Sequence, residues 1–336
     1  MYNVEPYVEK CLRSVEDQDI PSSDYEIICI NDGSPDDSRG VVSKLQKEYD
    51  NIILIDKKNE GVSRARNVGI DRAEGKYLLF IDPDDYVASL SFKRILAMAE
   101  GKDAQVTFLG FTFFNEDGSI RTQNIQERLA SNIYSGIEAY FVSRRDGHPD
   151  PDRMWAILFS RDFLNKHNLR YLPDVPFLED GEFIARILCL AERCIFDSFS
   201  FYKRTTRRGS ATNSLLSLSD KASNGFLLAA KNLKEFQQEY FLSQNQRTFL
   251  NQPICKFSLL AFKSIQRWPY MKNYRLIREV FRSSDLGKLE LNGVVRPYFY
   301  YGILYNYFPL AFLGNPYLKQ FKACIRSLLK LNFSDN

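Results

Sequence analysis

The chain has 336 residues, 44% hydrophobic and 26% charged, with a formal net charge of +3. That is the make-up of an ordinary globular protein, and the charge is too small to argue for a nucleic-acid partner. Only two histidines are present, His148 and His167, so a His-rich zinc site or a Ser-His-Asp triad is poorly supplied and acid–base chemistry falls to carboxylates.

Residues 4–16 place Val4, Val8, Leu12 and Val15 on one helical face. The apolar run from Tyr25 to Ile30 predicts a buried strand, stopping at Asn31-Asp32-Gly33-Ser34. Residues 37–49 read as a helix with Val41, Val42 and Leu45 inward, 52–55 as a second strand, and 63–73 as a helix closed by Gly75. Lys76 to Ile81 reads as a third strand. Helix and strand alternate at α/β spacing and the strands are near-continuously apolar, so a parallel sheet covered on both faces is expected. Ligands of such sheets sit beyond the strand C-termini. Asp32 and the Asp82–Asp85 stretch both fall there, on strand ends expected to be adjacent.

Residues 102–114 are strand-rich, Asn115-Glu116-Asp117-Gly118 is a hairpin turn, and Met154 to Phe159 reads as strand. A helix is expected from Glu179 through Leu190 with Ile184, Ile187 and Leu188 inward, then a strand over 194–204 and the basic segment Lys203 to Ser210. Beyond about residue 215 the pattern is mostly helical, with no internal repeat. The six cysteines are scattered without a CxxC pair and no secretory signal is legible, which gives the expectation of reduced thiols in a cytoplasmic protein.

Asp82, Asp84 and Asp85 put three carboxylates in four positions at a strand end. Like charges so close are costly to hold unless a divalent cation bridges them, and hard oxygen donors suit Mg2+ or Mn2+. Asp85 equally suits a capping role. Asn31-Asp32-Gly33 equally suits a plain turn, and Glu179-Asp180 has ordinary first-turn helix composition.

Four features in order resemble the family 2 inverting glycosyltransferases, which have the GT-A nucleotide-diphospho-sugar transferase fold. They are Tyr2-Asn3 with the helix after it, Asn31-Asp32-Gly33-Ser34, the block from Asn59 to Asp85, and Glu179-Asp180. The resemblance covers roughly residues 2–215, so it implies a catalytic domain over 1–215. That domain divides into a nucleotide-binding half, 1–100, and an acceptor half, 101–215, followed by a helical region over 216–336. It implies that Asp32 hydrogen-bonds the base, usually uracil, and that Asp82 and Asp84 form the DxD pair binding Mn2+ or Mg2+. Asp180, beside Glu179, would be the base that deprotonates the acceptor. Asn59, Gly61, Arg66 and Asn67 would line the nucleotide-sugar pocket, and Arg204, Arg207 and Ser210 would lie over the diphosphate. The implied reaction moves one sugar from a nucleotide-sugar donor to a glycan or lipid-linked acceptor in surface-polysaccharide synthesis. Gln266-Arg267-Trp268 is the nearest approach to the QxxRW signature of processive synthases, so a single addition is expected.

The resemblance also implies a buried strand ahead of Tyr2-Asn3, central in the sheet. Its lack in this chain opens the alternative of an impaired, nucleotide-sugar-binding or scaffold protein. Pro297 to Leu318 carries no charge across 22 positions but holds three prolines and six tyrosines. Lys319, Lys322, Arg326 and Lys330 then share one face of a helix opposite Leu318, Phe321, Ile325, Leu328 and Leu329. Segment 297–330 therefore suits either a peripheral membrane surface or packing on its own domain, and its aromatic patch equally suits a homodimer face.

Overall fold

The computed structural model describes residues 1–144, 152–173, 175, 178–205, 220–265 and 286–307. Its contacts form two units, Met1–Asp174 with Glu179–Ser210, and Val175–Leu178 with Ala211–Asn336.

In unit 1, α1 (Glu5–Glu16) carries Pro6 in its first turn, where no helical amide bond is lost, and buries Val8, Cys11, Leu12 and Val15 at helical spacing. β1 (Ile27–Asp32) pairs in parallel with β2 (Ile52–Lys57), Ile27 opposite Ile52 and Asp32 opposite Lys57. The crossover between them is α2 (Ser38–Leu45), as parallel pairing requires. Val4, Val8, Leu12, Cys29, Val42, Leu45 and Ile52 form one apolar cluster that fastens both helices to this pair.

After α3 (Val62–Arg72) come β3 (Tyr77–Leu79), β4 (Tyr86–Val87), α4 (Phe92–Gly101), β5 (Val106–Phe114), β6 (Ile120–Asn124) and α5 (Gly136–Val142). Then follow β7 (Ile157–Ser160), α6 (Arg161–Lys166), α7 (Glu179–Leu190) and β8 (Cys194–Thr205). Six strands make a second sheet in the order β3-β7-β5-β8-β4, with β6 on β5. Its core includes Val106's neighbours Leu109 and Phe111, with Trp155, Leu158, Ile195, Phe201 and Tyr202.

The α/β architecture holds, but the sheet is mixed rather than mostly parallel. β5 and β8 are parallel, whereas β3–β7, β5–β7, β4–β8 and β5–β6 are antiparallel. A tight turn such as the one at Asn115–Gly118, closed by the Gly118 amide on Asn115, reverses the chain and cannot deliver a parallel partner. The expected adjacency of the Asp32 and Asp82 strand ends is also corrected, since β1 and β3 lie in separate sheets. Met1 runs along the second edge of β1, its amino group donating to the Ile30 carbonyl and its carbonyl accepting from the Asp32 amide. Burial lowers the pKa of that amino group, against the pull of the nearby Cys29, Asp32 and Asp82.

Unit 2 contains α8 (Asp220–Glu239), α9 (Gln244–Ile265) and α10 (Tyr298–Tyr307). Ala222, Phe226 and Ala261 pack α8 on α9. The Gln252 side chain accepts from the Val295 amide at 2.8 Å, and Asn306 makes two 2.8 Å bonds to the Leu289 backbone. Gly302, Leu304 and Tyr305 of α10 are buried, so the first part of the charge-free segment packs within unit 2. The basic stretch 318–330 and Gln266-Arg267-Trp268 lie outside the described residues. Among the described residues no helix is long and apolar enough to cross a membrane.

Candidate active site

Asp32 ends β1 with its side chain 7% exposed. Oδ1 accepts from Lys57 Nζ at 2.6 Å and the Glu60 amide at 3.1 Å, and Oδ2 accepts from the Gly61 amide at 2.9 Å. Burial raises its pKa, but Lys57 and the two amides outweigh burial and hold it below the usual value. A carboxylate oxygen has two acceptor lobes, so Oδ2 keeps one for a ligand donor such as a base N–H. Gly33, at φ +65°, brings the chain within 2.9 Å of the Asn59 amide as measured from a Cβ placed on it. No side chain fits there, and this close approach folds the 58–61 loop over Asp32. Asn59 and Gly61 are thus placed beside Asp32, and Gly61, at φ +90°, starts α3.

β3 delivers the carboxylates. Phe80 bridges to Trp155, and the chain then turns, the Asp85 amide donating to the Asp82 carbonyl. Asp82, Asp84 and Asp85 offer oxygens within 4.8 Å of one another. The turn is pinned to the end of β8. Tyr202 Oη accepts from the Asp82 amide at 3.0 Å and donates to Asp85 Oδ2 at 2.9 Å. The Thr205 amide donates to Asp85 Oδ1 at 2.8 Å, and its hydroxyl to the Asp84 carbonyl at 2.6 Å. Asp85 is 4% exposed, and burial, with the Asp82 charge next, pushes it up to about 7. Asp85 caps no helix and instead ties the turn to β8, while the Asp82 side chain is 37% exposed. An all-oxygen cluster of this spacing fits Mg2+ or Mn2+.

Arg66 on α3 joins this turn to α7. Its guanidinium pairs with Asp180 Oδ1, with Glu179 at 3.4 Å and with Asp82 at 3.7 Å. It also lies 5.1 Å from the Tyr171 ring centre. The Tyr171 hydroxyl donates to the same Asp180 oxygen at 3.3 Å. Burial is the largest influence on Asp180 and pushes it up to about 6 against the pull of Arg66. Leu178, immediately before α7, has φ +60°, a costly conformation for a residue that carries a side chain.

Arg66 is thus placed between the carboxylates. The Asn67 amide is taken up by Tyr171, donating to its carbonyl and accepting from its N–H, both at 2.8 Å. Arg204 lies 4.9 Å from the Phe113 ring centre and 5.1 Å from that of Trp155. Arg153 stands 5.1 Å from the same Trp155 ring. Arg207, Ser210 and His148 lie outside the described residues. Lys57, Tyr171 and Tyr202 escape the sequence reading. Each meets its carboxylate across 9 to 117 residues, and none belongs to a spaced motif.

Residues 1–166 match the family described as "Glycosyl transferase family 2". The chain is 34% identical over 197 residues to the "Uncharacterized glycosyltransferase EpsJ" of Bacillus subtilis, covering 57% of this chain and 55% of that protein. It is 25% identical over 315 residues to the "Minor teichoic acid biosynthesis protein GgaB" of the same organism, covering 90% of this chain and 34% of the relative. The chain therefore spans about half or less of these relatives. Among solved structures, S. aureus TarS 1-349 in complex with UDP aligns with a TM-score of 0.65 at 17% identity, over 91% of this chain and 86% of that one. A mannosyltransferase from Pyrobaculum calidifontis, in complex with GDP-Man and Mn2+, aligns with a TM-score of 0.51 at 11% identity, over 92% and 85%. These two likenesses establish the fold.

Proposed function

The chain belongs to glycosyl transferase family 2 through residues 1–166, and from that premise we propose a metal-dependent, inverting transfer of one sugar from a UDP-linked donor to a glycan or lipid-linked acceptor of a surface polymer. The observation that carries the reading is the convergence of the Asp82–Asp85 turn and Asp180 on the single guanidinium of Arg66. The relative named poly(ribitol-phosphate) beta-N-acetylglucosaminyltransferase TarS (24% identical over 211 residues) and the UDP complex of TarS support a UDP donor and a polyol-phosphate class of acceptor.

In this reading Asp82 and Asp84 hold Mn2+ or Mg2+, which when bound supplies Lewis-acid stabilisation of the leaving diphosphate. The protein's own part is positional and proton-handling. Asp32 orients the base through its open acceptor lobe. Tyr202 and Thr205 keep the turn from splaying as its charges repel. Arg66 balances the carboxylates on both sides of the reaction centre. Asp180, ionised at neutral pH yet more basic than an ordinary aspartate, takes the proton of the acceptor hydroxyl. One base and one displacement give inversion. Residues 1–215 act as the catalytic domain, and 216–336 as a helical region whose tail supports peripheral attachment to the inner membrane face.

A thermal-shift panel of UDP, GDP, CDP and dTDP with and without Mn2+ tests the donor. UDP alone should stabilise, and only with Mn2+; saturation at 100 times Kd is worth about 2.7 kcal/mol. Asp180→Asn should keep that shift and lower transfer about 10²- to 10⁴-fold. The second reading, a nucleotide-sugar-binding protein without turnover, draws on the separation of β1 from β3. It prevails if Mn2+ and UDP bind and no UDP-sugar is turned over.

A further inference from the structure

We propose that Tyr171 is the positioning residue of Asp180, clamped by Asn67 so that its hydroxyl fixes which carboxylate oxygen faces the acceptor. The inference rests on reading Asp180 as the base.

Tyr171 is in neither a helix nor a strand, so no ladder holds its backbone. It is nonetheless 1% exposed, and a buried peptide unit needs partners for both its groups. Asn67 supplies both, from one side chain on α3. The ring is fixed as firmly as the backbone. It stacks on Phe183 at 4.2 Å between centres, meets Phe80 edge-on at 6.2 Å, and carries the Arg66 guanidinium at 5.1 Å.

What this clamping delivers is a hydroxyl in a set place. Tyr171 Oη and Arg66 both donate to Asp180 Oδ1. The hydrogen bonds made to Asp180 among the described residues all land on that oxygen. With Oδ1 pinned from two directions the carboxylate cannot spin, and Oδ2 is presented in one orientation. A proton acceptor held in a near-attack geometry is worth far more than one that tumbles. A purely structural tyrosine would need only its ring, so the hydroxyl and the ring make separable predictions.

Tyr171→Phe in the full chain removes the hydroxyl and keeps the ring beneath Arg66. The probe is UDP release from UDP-GlcNAc in Mn2+, with Mn2+–UDP binding followed by calorimetry. The expected result is a kcat lowered about 10- to 100-fold, with the UDP-GlcNAc KM and the UDP affinity changed by less than about twofold. In an Asp180→Asn background the same substitution should cost nothing further, because its effect passes through that carboxylate. A wild-type kcat in Tyr171→Phe, or a full additional loss on top of Asp180→Asn, overturns the positioning role and leaves the base assignment standing. A wild-type kcat in Asp180→Asn overturns the base assignment and the inference with it. A readout independent of turnover is the crystal structure of Tyr171→Phe with UDP. Asp180 in more than one orientation supports the inference, and a single unchanged orientation overturns it.

Discussion

Asp85 is buried and Asp180 partly exposed, yet both carboxyls are raised towards neutrality, and they answer to different tests. Asp85 satisfies the Tyr202 hydroxyl and the Thr205 amide inside the protein. Asp85→Ala leaves both donors without their acceptor and should cost about 1–3 kcal/mol, read as a lower midpoint in urea. Asp180 is the base of the proposed reaction, and its consequence is pH dependence. With the carboxyl at about 6, kcat/KM should fall on acidification through that value, as the base becomes protonated. The stability sign runs the other way. The folded value lies above the unfolded one, so ionising Asp180 costs the native state as pH rises from about 4 to 6. Wild type should therefore gain on Asp180→Asn as pH falls from neutrality, measured by denaturation of both at pH 7 and 5. Asp82, Asp84 and Asp85 were legible as a cluster because they fall within four positions and their mutual repulsion needs a reason. Tyr202 was not, because its two contacts with that turn lie 117 and 120 residues away along the chain.

At the scale of elements, the helices and strands that follow a clean period were readable in advance. α1 and α7 carry broad apolar faces, and β1, β2 and β8 are apolar runs between turn signals. α4 was not anticipated, since it buries only Ile95 and Ala99 and offers a thin stripe. Strand direction was misread for β3 and β7 because side-chain pattern encodes burial and says nothing of which way a neighbour runs, whereas the antiparallel β5–β6 pair follows from the hairpin turn read at Asn115–Gly118. The close approach of β5 to β8 is equally silent in the sequence. A Cβ on Gly110 would stand 2.4 Å from the Phe199 carbonyl oxygen and 3.1 Å from that of Asn124. Gly110→Ala must push the strands apart and should cost about 1–3 kcal/mol, seen as a lower Tm with the nucleotide site otherwise intact.

At the scale of the whole molecule, the site residues of both halves of the catalytic reading fall in unit 1. Hydrogen exchange with UDP and Mn2+ should therefore raise protection in β1, the 58–61 loop, the 82–85 turn and the start of α7. Slowing of α8 to α10 alone would place the ligand elsewhere. The Asp82–Asp85 carboxylates were legible as a short block, whereas Arg66, Tyr171 and Asp180 converge from α3, the 171 segment and α7. One feature of the fold has a colloidal side. Among the described residues, β3 ends its sheet with no strand beyond it. Such backbone edges are templates for other chains. Light scattering should show self-association rising with protein concentration and reversed by dilution, so the handling of this protein in solution is set by main-chain groups rather than by its modest net charge.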